Sequence, residues 1–413
     1  MSEQIQTQAE LKADAWDKLL DEETGPAAIV IRERLRPAAG QGTPVAPPTF
    51  AGRPSDYHYD GEDPQKWQAV LEAVAQKRVA NRCTLDSIPS QANRMESHLK
   101  RFEGKFIPKV TLTGVKQESL SLLDVGHRVA DAALWSADNY QEFQQGLEAY
   151  VQGDALKLAK LAPTSLVFGY WDSRGTTGGK ARRLVRSEIY AENVLKLTRK
   201  SQYWASVDPE ASEDLKRALD EAKAKAKDDR EKDAGSQLGF RDAPASGLGG
   251  VVVKGEILRL TILSLTGLRN LSARADGNEV SDATKQLRRY LFALMLAAAS
   301  TSRAGWDLRE GCLLVQERNP KDGEKEGAPI TWTKVYHDGR EEPCTPVPAE
   351  GGVRAFLCAT AKEFFEPGLP AERKLPFNPS KAAEEVRKKL AGKDEAKSTV
   401  AAGAPKAGHK KRQ

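Results

Sequence analysis

Between Pro163 and Tyr190 the chain reads PTSLVFGYWDSRGTTGGKARRLVRSEIY. An apolar run (Leu166, Val167, Phe168) reads as β-like and leads into an aromatic pair, Tyr170 and Trp171. A glycine-rich turn follows, and then four cations, Lys180, Arg182, Arg183 and Arg186, within seven positions. The expected order is strand, aromatic platform, flexible loop, positive charge. A single-stranded nucleic acid calls for those parts: π-faces for bases, cations for phosphates, and glycines that let the backbone come close. A solvated loop beside a helix whose arginines face water fits the residues equally well.

The glycines do not make a nucleoside-triphosphate loop. That loop needs four residues between its glycines and a hydroxyl after the lysine. Gly175 and Gly179 are separated by three, and Ala181 follows Lys180.

Charge points to the same stretch. The net charge is +5, but the segment from Pro379 to Gln413 has ten Lys or Arg against four Asp or Glu, so the rest of the chain is close to −1. A nucleic-acid surface on the body is therefore a local stripe and not a global field. Two stripes exist, Lys77–Lys109 and Pro163–Trp204, each with eight basic and three acidic residues.

Around these stripes the patterning predicts a mixed α+β chain. Ala27–Leu35 alternates as a strand, with Arg32 and Arg34 on one face and Ile29 and Ile31 on the other. Ser90–Phe102 is a helix with an apolar stripe of Ala92, Met95, Leu99 and Phe102. A second row on it, Gln91, Arg94, His98 and Arg101, is either a phosphate track or a solvated face. Trp67–Arg82 reads as a helix and Phe106–Leu112 as a strand. Leu120, Leu123, His127, Ala130 and Leu134 give another helical stripe, which makes His127 a core histidine.

The organisation expected is an N-terminal helix over 1–24 and the first part of the core over 25–204. A charged helical insert and flexible connector follow over 205–250, with Ser236–Gly250 as the connector. The remainder of the core covers 251–378 and a disordered basic tail 379–413. Leu287, Leu291, Leu294 and Ala298 mark a buried helix face. Cys312–Gln316 and Thr331–Tyr336 read as strands, and Val353–Phe365 as a last helix. The four cysteines have no CxxC spacing and the five histidines are scattered, so no metal or cofactor is expected. The opening MSEQIQTQAE lacks the regions of a signal peptide, and no apolar run is long enough to span a bilayer. A cytoplasmic protein without membrane contact is expected.

Two blocks carry a family resemblance. FGYWDSR…GGKARRLVRSEI resembles the signature of the backbone subunit of type I-G (formerly I-U) CRISPR surveillance complexes, a member of the RAMP superfamily. SIPSQANRMES, Ser87–Ser97, resembles that family's upstream motif. Weaker similarity continues through RLTILSLTGLRNL and GCLLV, within Ile29–Lys362.

The resemblance implies a ferredoxin-like (RRM-type) core with helical insertions and a protruding thumb. It implies a non-catalytic subunit that polymerises head to tail along a CRISPR RNA and presents the spacer to a target DNA strand. Other copies of the chain, a large subunit, a Cas-five or Cas-six-like subunit and a recruited helicase-nuclease are the implied partners. The RNA contacts expected are Gln91, Asn93, Arg94, Arg174, Lys180, Arg182, Arg183 and Arg186. Tyr170 and Trp171 stand outside that set, since a strand aromatic pair is as often core. The alternative is a metal-dependent RNA nuclease of the same superfamily, with Asp172 and Glu188 as its carboxylates.

Overall fold

The computed structural model describes residues 18–51, 56–116, 118–172, 178–225, 238–240, 242–273, 280–300, 308–317, 330–344 and 351–388. Its organising element is strand β1, Ala28–Pro37, where the predicted alternation holds. Ile29, Ile31 and Leu35 are buried, while Arg32 and Arg34 face outward.

Four further strands build the sheet around it: β2 (Asn81–Asp86), β3 (Val185–Glu192), β6 (Ile257–Ser264) and β7 (Ile330–Val335). Between β3 and β6 the chain forms a separate hairpin, β4 (Val194–Tyr203) and β5 (Ala243–Val253). Across the sheet the order is Glu341–Pro343, β7, β1, β6, β3, β2, Tyr59–Gly61, and every neighbour is antiparallel. Leu314–Gln316 also pairs with the end of β1.

Helices cover one face of this sheet. Helix α1 (Ile88–Leu99) is capped by the Ser87 side chain, which accepts from the Ser90 amide, and Pro89 stands in its first turn. Ala92, Met95, Leu99 and Phe102 are buried as their spacing predicts. Helix α2 is the short Pro163–Phe168, α3 is Glu213–Lys225, and α4 is Asp282–Ala299. Helix α4 is the central one, with Leu287, Leu291, Leu294 and Ala298 all fully buried. It packs on α1, α2 and β3, and is itself covered by α5, Gly351–Phe364. There Tyr290 stacks on Phe364 at 4.8 Å and meets Phe365 edge-on at 5.1 Å.

The covered face is not uniformly apolar. Ile29, Ile31, Val185 and Leu263 join the large cluster under α1 and α4, while Leu35, Cys83, Ile189, Ala191 and Ile257 form a second, smaller cluster. Between them lies a buried polar belt: Glu33, Arg259, Ser187, Thr261, Gln91 and Asp86.

Strands β4 (Val194–Tyr203) and β5 (Ala243–Val253) form a long hairpin, registered from Val194↔Val253 to Tyr203↔Ala243. Val194, Leu195 and Val251 root it in the core, whereas β4 is exposed from Arg199 outward. Helix α3 lies in the excursion between the two strands.

Several expectations change here. Leu166–Phe168 lies in α2 and not in a strand. The Trp67–Arg82 helix ends at Ala75, and Asn81 begins β2. The strand expected at Phe106–Leu112 is confined to Val110–Thr113. The Leu120–Leu134 stripe is not one helix: Ser119–Ser121 is a strand, and two 3-10 turns and the short helix Ala132–Trp135 follow. His127 is exposed, so it is not a core residue. The connector Ser236–Gly250 runs into β5. Residues 379–388 are helical, and Arg373–Pro376 is a strand parallel to Val110–Thr113. Of the N-terminal helix, residues 1–17 lie outside the described residues, and Lys18–Leu20 is a 3-10 turn. Residues 389–413 of the predicted tail also lie outside them. Among the described residues no helix is long and apolar enough to cross a membrane.

Candidate nucleic-acid interface

The eight predicted contacts divide by depth. Gln91 is wholly buried, and both ends of its amide are used. Its Nε2 donates to Asp86, and its Oε1 accepts from Ser187 Oγ at 3.2 Å and from Arg259 Nε at 3.1 Å. The row of polar residues on α1 therefore does not share one solvated face. Gln91 turns into the sheet because β3 and β6 place Ser187 and Arg259 beneath it.

Arg94 is half-buried and also belongs to the belt. Its Nε donates to Asp86 Oδ2 at 3.1 Å and its Nη2 to the Leu308 carbonyl at 2.9 Å. Asp86 takes further bonds from Ser90 Oγ at 2.8 Å and Arg309 Nη2 at 3.3 Å. This ring of donors around one buried carboxylate fixes α1 against β2.

The other residues emerge. Asn93 is exposed on α1, and Lys180, Arg182, Arg183 and Arg186 are all exposed. Arg186 pairs with Glu188 at 3.2 Å. Among the described residues, Lys180, Arg182 and Arg183 form no ion pair. Arg174 lies outside the described residues.

What places these cations is a short ladder, Tyr170–Trp171 against Lys180–Ala181. Its root is Gly169 at φ +78°, where an added Cβ would stand 2.8 Å from the Ala181 carbonyl oxygen and 3.0 Å from Arg183 Cγ. Only glycine lets the two strands close there. The Gly169 carbonyl accepts from Arg128 Nη1 at 3.0 Å. Arg128 in turn grips Glu96 of α1 with two bonds, 2.6 and 2.8 Å, both side chains being buried.

Sequence reasoning missed this pair. Glu96 sat in a motif read for its basic members, and nothing local connects it to Arg128. Burial pushes Glu96 up to about 7, against the hydrogen bonds and charge of Arg128. Partial burial, and next the nearby Arg128 charge, push the Arg183 guanidinium below its ordinary value. Three cationic groups, Arg128, Arg183 and Arg186, thus interact at the meeting of α1, the ladder and β3, with Glu96 the carboxylate among them.

The aromatic pair is split. Tyr170 is 5% exposed and packs edge-on with Tyr150, while Trp171 is 66% exposed. The two carboxylates of the nuclease alternative differ in burial and surroundings. Asp172 is 1% exposed, and the Glu188 carboxylate is engaged by Arg186. Among the described residues, no group of three His, Cys, Asp or Glu side chains could hold a metal ion. Cys83 and Cys312 are buried and all four cysteines are free thiols; burial pushes Cys83 up to about 12.

Residues 29–196 match the family model described as CRISPR-associated protein GSU0053. The matched span contains β1, α1, the Glu96–Arg128 pair, the ladder and β3. None of the curated proteins matches the chain.

Proposed function

We propose, from the premise that residues 29–196 are a segment of this CRISPR-associated family, that the protein is a guide-RNA-binding backbone subunit with no catalytic step of its own. It holds the RNA by its phosphates and leaves bases free for a target strand. The observation that carries this reading is the exposed set Lys180, Arg182, Arg183 and Arg186. Lys180 stands on the ladder, Arg182 and Arg183 follow it directly and Arg186 lies at the start of β3, while other arginines of the body, Arg128, Arg259 and Arg288, are sunk into internal bonds. Phosphate contacts position a strand without reading its sequence, and pairing then supplies specificity.

The contacts in this reading are Asn93, Lys180, Arg182, Arg183 and Arg186, with Arg174 in the same loop. Gln91 and Arg94 act behind them by fixing α1. We read β1, β3, β6 and β7 as a ferredoxin-like core. The antiparallel order β7-β1-β6-β3 supports this, with α1 between β1 and β3 and α4 between β6 and β7. The β4–β5 hairpin, exposed beyond its root, suits the role of thumb. In this reading the protein assembles as repeated copies on a CRISPR RNA in the cytoplasm, with other effector subunits and a separate helicase-nuclease.

The test is charge reversal. The double substitution Arg182→Glu, Arg183→Glu removes RNA from the purified protein while the chain keeps a cooperative melting transition, since neither residue belongs to the apolar core. Wild-type RNA retention by that variant would remove the two arginines from the site.

A further inference from the structure

Trp171 is the most exposed aromatic side chain near the cationic ladder, and it is not on a loose loop. In the two-residue ladder it stands opposite Lys180. Opposite residues of an antiparallel pair project from the same face, with Cβ atoms about 5 Å apart. The indole and the lysine stem therefore lie side by side, while Tyr170 and Ala181 face the core at 5% exposure each.

The ladder continues one rung, with the Asp172 amide donating to the Gly179 carbonyl at 2.9 Å. It is anchored at the other end by Arg128 on Gly169. Lys180 also borders a cleft of about 350 Å³, shared with Tyr150, Gly178, Gly179, Asn270 and Ser272. That volume is at the small end of ligand sites, about 300–1,000 Å³. Its polar rim and glycine backbone suit a sugar–phosphate unit.

We propose that Trp171 and Lys180 form a single-nucleotide clamp. The indole stacks on one unpaired base, and the ammonium holds the phosphate beside it at the mouth of the cleft. The ligand class is a single-stranded nucleotide of any base, since every base offers a π-face. This rests on the RNA-binding reading and deepens it. The arginines track the backbone, whereas the clamp fixes one base in register with each copy of the chain. The buried Glu96–Arg128 pair is its positioning element, because it sets the carbonyl from which the ladder starts.

The experiment uses the full chain with a single-stranded uridine oligomer carrying one 2-aminopurine, with binding followed by anisotropy and by 2-aminopurine quenching. Four proteins are compared: wild type, Trp171→Leu, Trp171→Phe, and Arg182→Glu with Arg183→Glu. The clamp predicts that Trp171→Leu binds about 5- to 100-fold more weakly and loses quenching. Its salt dependence stays unchanged, and Trp171→Phe recovers most of the affinity. Wild-type affinity and quenching in Trp171→Leu, with binding lost in the arginine double variant, overturns the clamp and leaves the RNA reading standing. The same holds if Trp171→Leu binds the oligomer normally but drops out of the multi-subunit particle, which assigns Trp171 to a protein contact. Absence of binding by the wild type overturns both.

Discussion

Arginine serves two purposes in this protein, and depth separates them. Arg128, Arg259 and Arg288 are buried and spend their donors on carboxylates, amides and carbonyls of the body. Lys180, Arg182 and Arg183 reach solvent without such partners among the described residues. Replacing Gln91 by Ala leaves Arg259, Ser187 and Asp86 short of a buried partner, which costs about 1–3 kcal/mol per unsatisfied group. The expected outcome is a lower melting temperature with unchanged RNA affinity per folded molecule; a weakened affinity at full stability would make Gln91 a contact after all. Glu96 gives a pH signature. Its folded value of about 7 lies above its ordinary 4.5, so the folded state keeps a proton that the unfolded chain releases. The contribution of this one group to stability is therefore fullest below about pH 4.5 and is lost as pH rises towards 7, with a slope of at most about 1.4 kcal/mol per pH unit for one proton. Glu96→Gln flattens that slope in urea melts taken across the window; an unchanged slope would assign the proton elsewhere. The depth of each cation was not legible in the sequence. The helical row Gln91, Arg94, His98, Arg101 has one spacing, and only the sheet beneath α1 decides that its first member is internal.

Elements were read best where their periodicity is their own. The alternation of β1 and the stripe of α1 sit on single apolar faces, and the structure follows them. Where a segment is apolar throughout, period carries no signal, and Leu166–Phe168 is buried on every side in a short helix begun by Pro163. The stripe from Leu120 to Leu134 has helical spacing, yet Arg128 sits at φ +53° and interrupts any helix there. That conformation accompanies its bonds to Glu96 and Gly169, both more than thirty residues away in either direction. The glycine- and serine-rich run at 243–250 becomes a strand because its partner is β4, some forty residues earlier. Since the hairpin gives the core only its root, replacing residues 204–242 with an Asn-Gly turn leaves the body folded. A shift of under about 3 °C in melting temperature is expected for a change outside the core of a chain this size. Collapse of the cooperative transition would show that α3 and the outer strands carry stability.

At the scale of the whole molecule, a body with little net charge of its own carries a cationic edge at Lys180, Arg182, Arg183 and Arg186. With four phosphate contacts from Lys180, Arg182, Arg183 and Arg186, single-strand binding should weaken with salt at a logarithmic slope of about −3. A slope near zero would mean that these cations do not meet phosphate. The family resemblance was legible in two blocks, and the matched span covers both. The way those blocks meet was not legible, because Glu96 in the first holds, through Arg128, the glycine that opens the second. The most direct measurement is of what the protein carries. Expressed with a CRISPR array and its effector partners and then purified, it should bring with it a discrete RNA containing spacer sequence, protected in a large particle with several copies of the chain. A monomer free of nucleic acid at low salt would contradict the guide-RNA scaffold and leave the cationic edge without its proposed ligand.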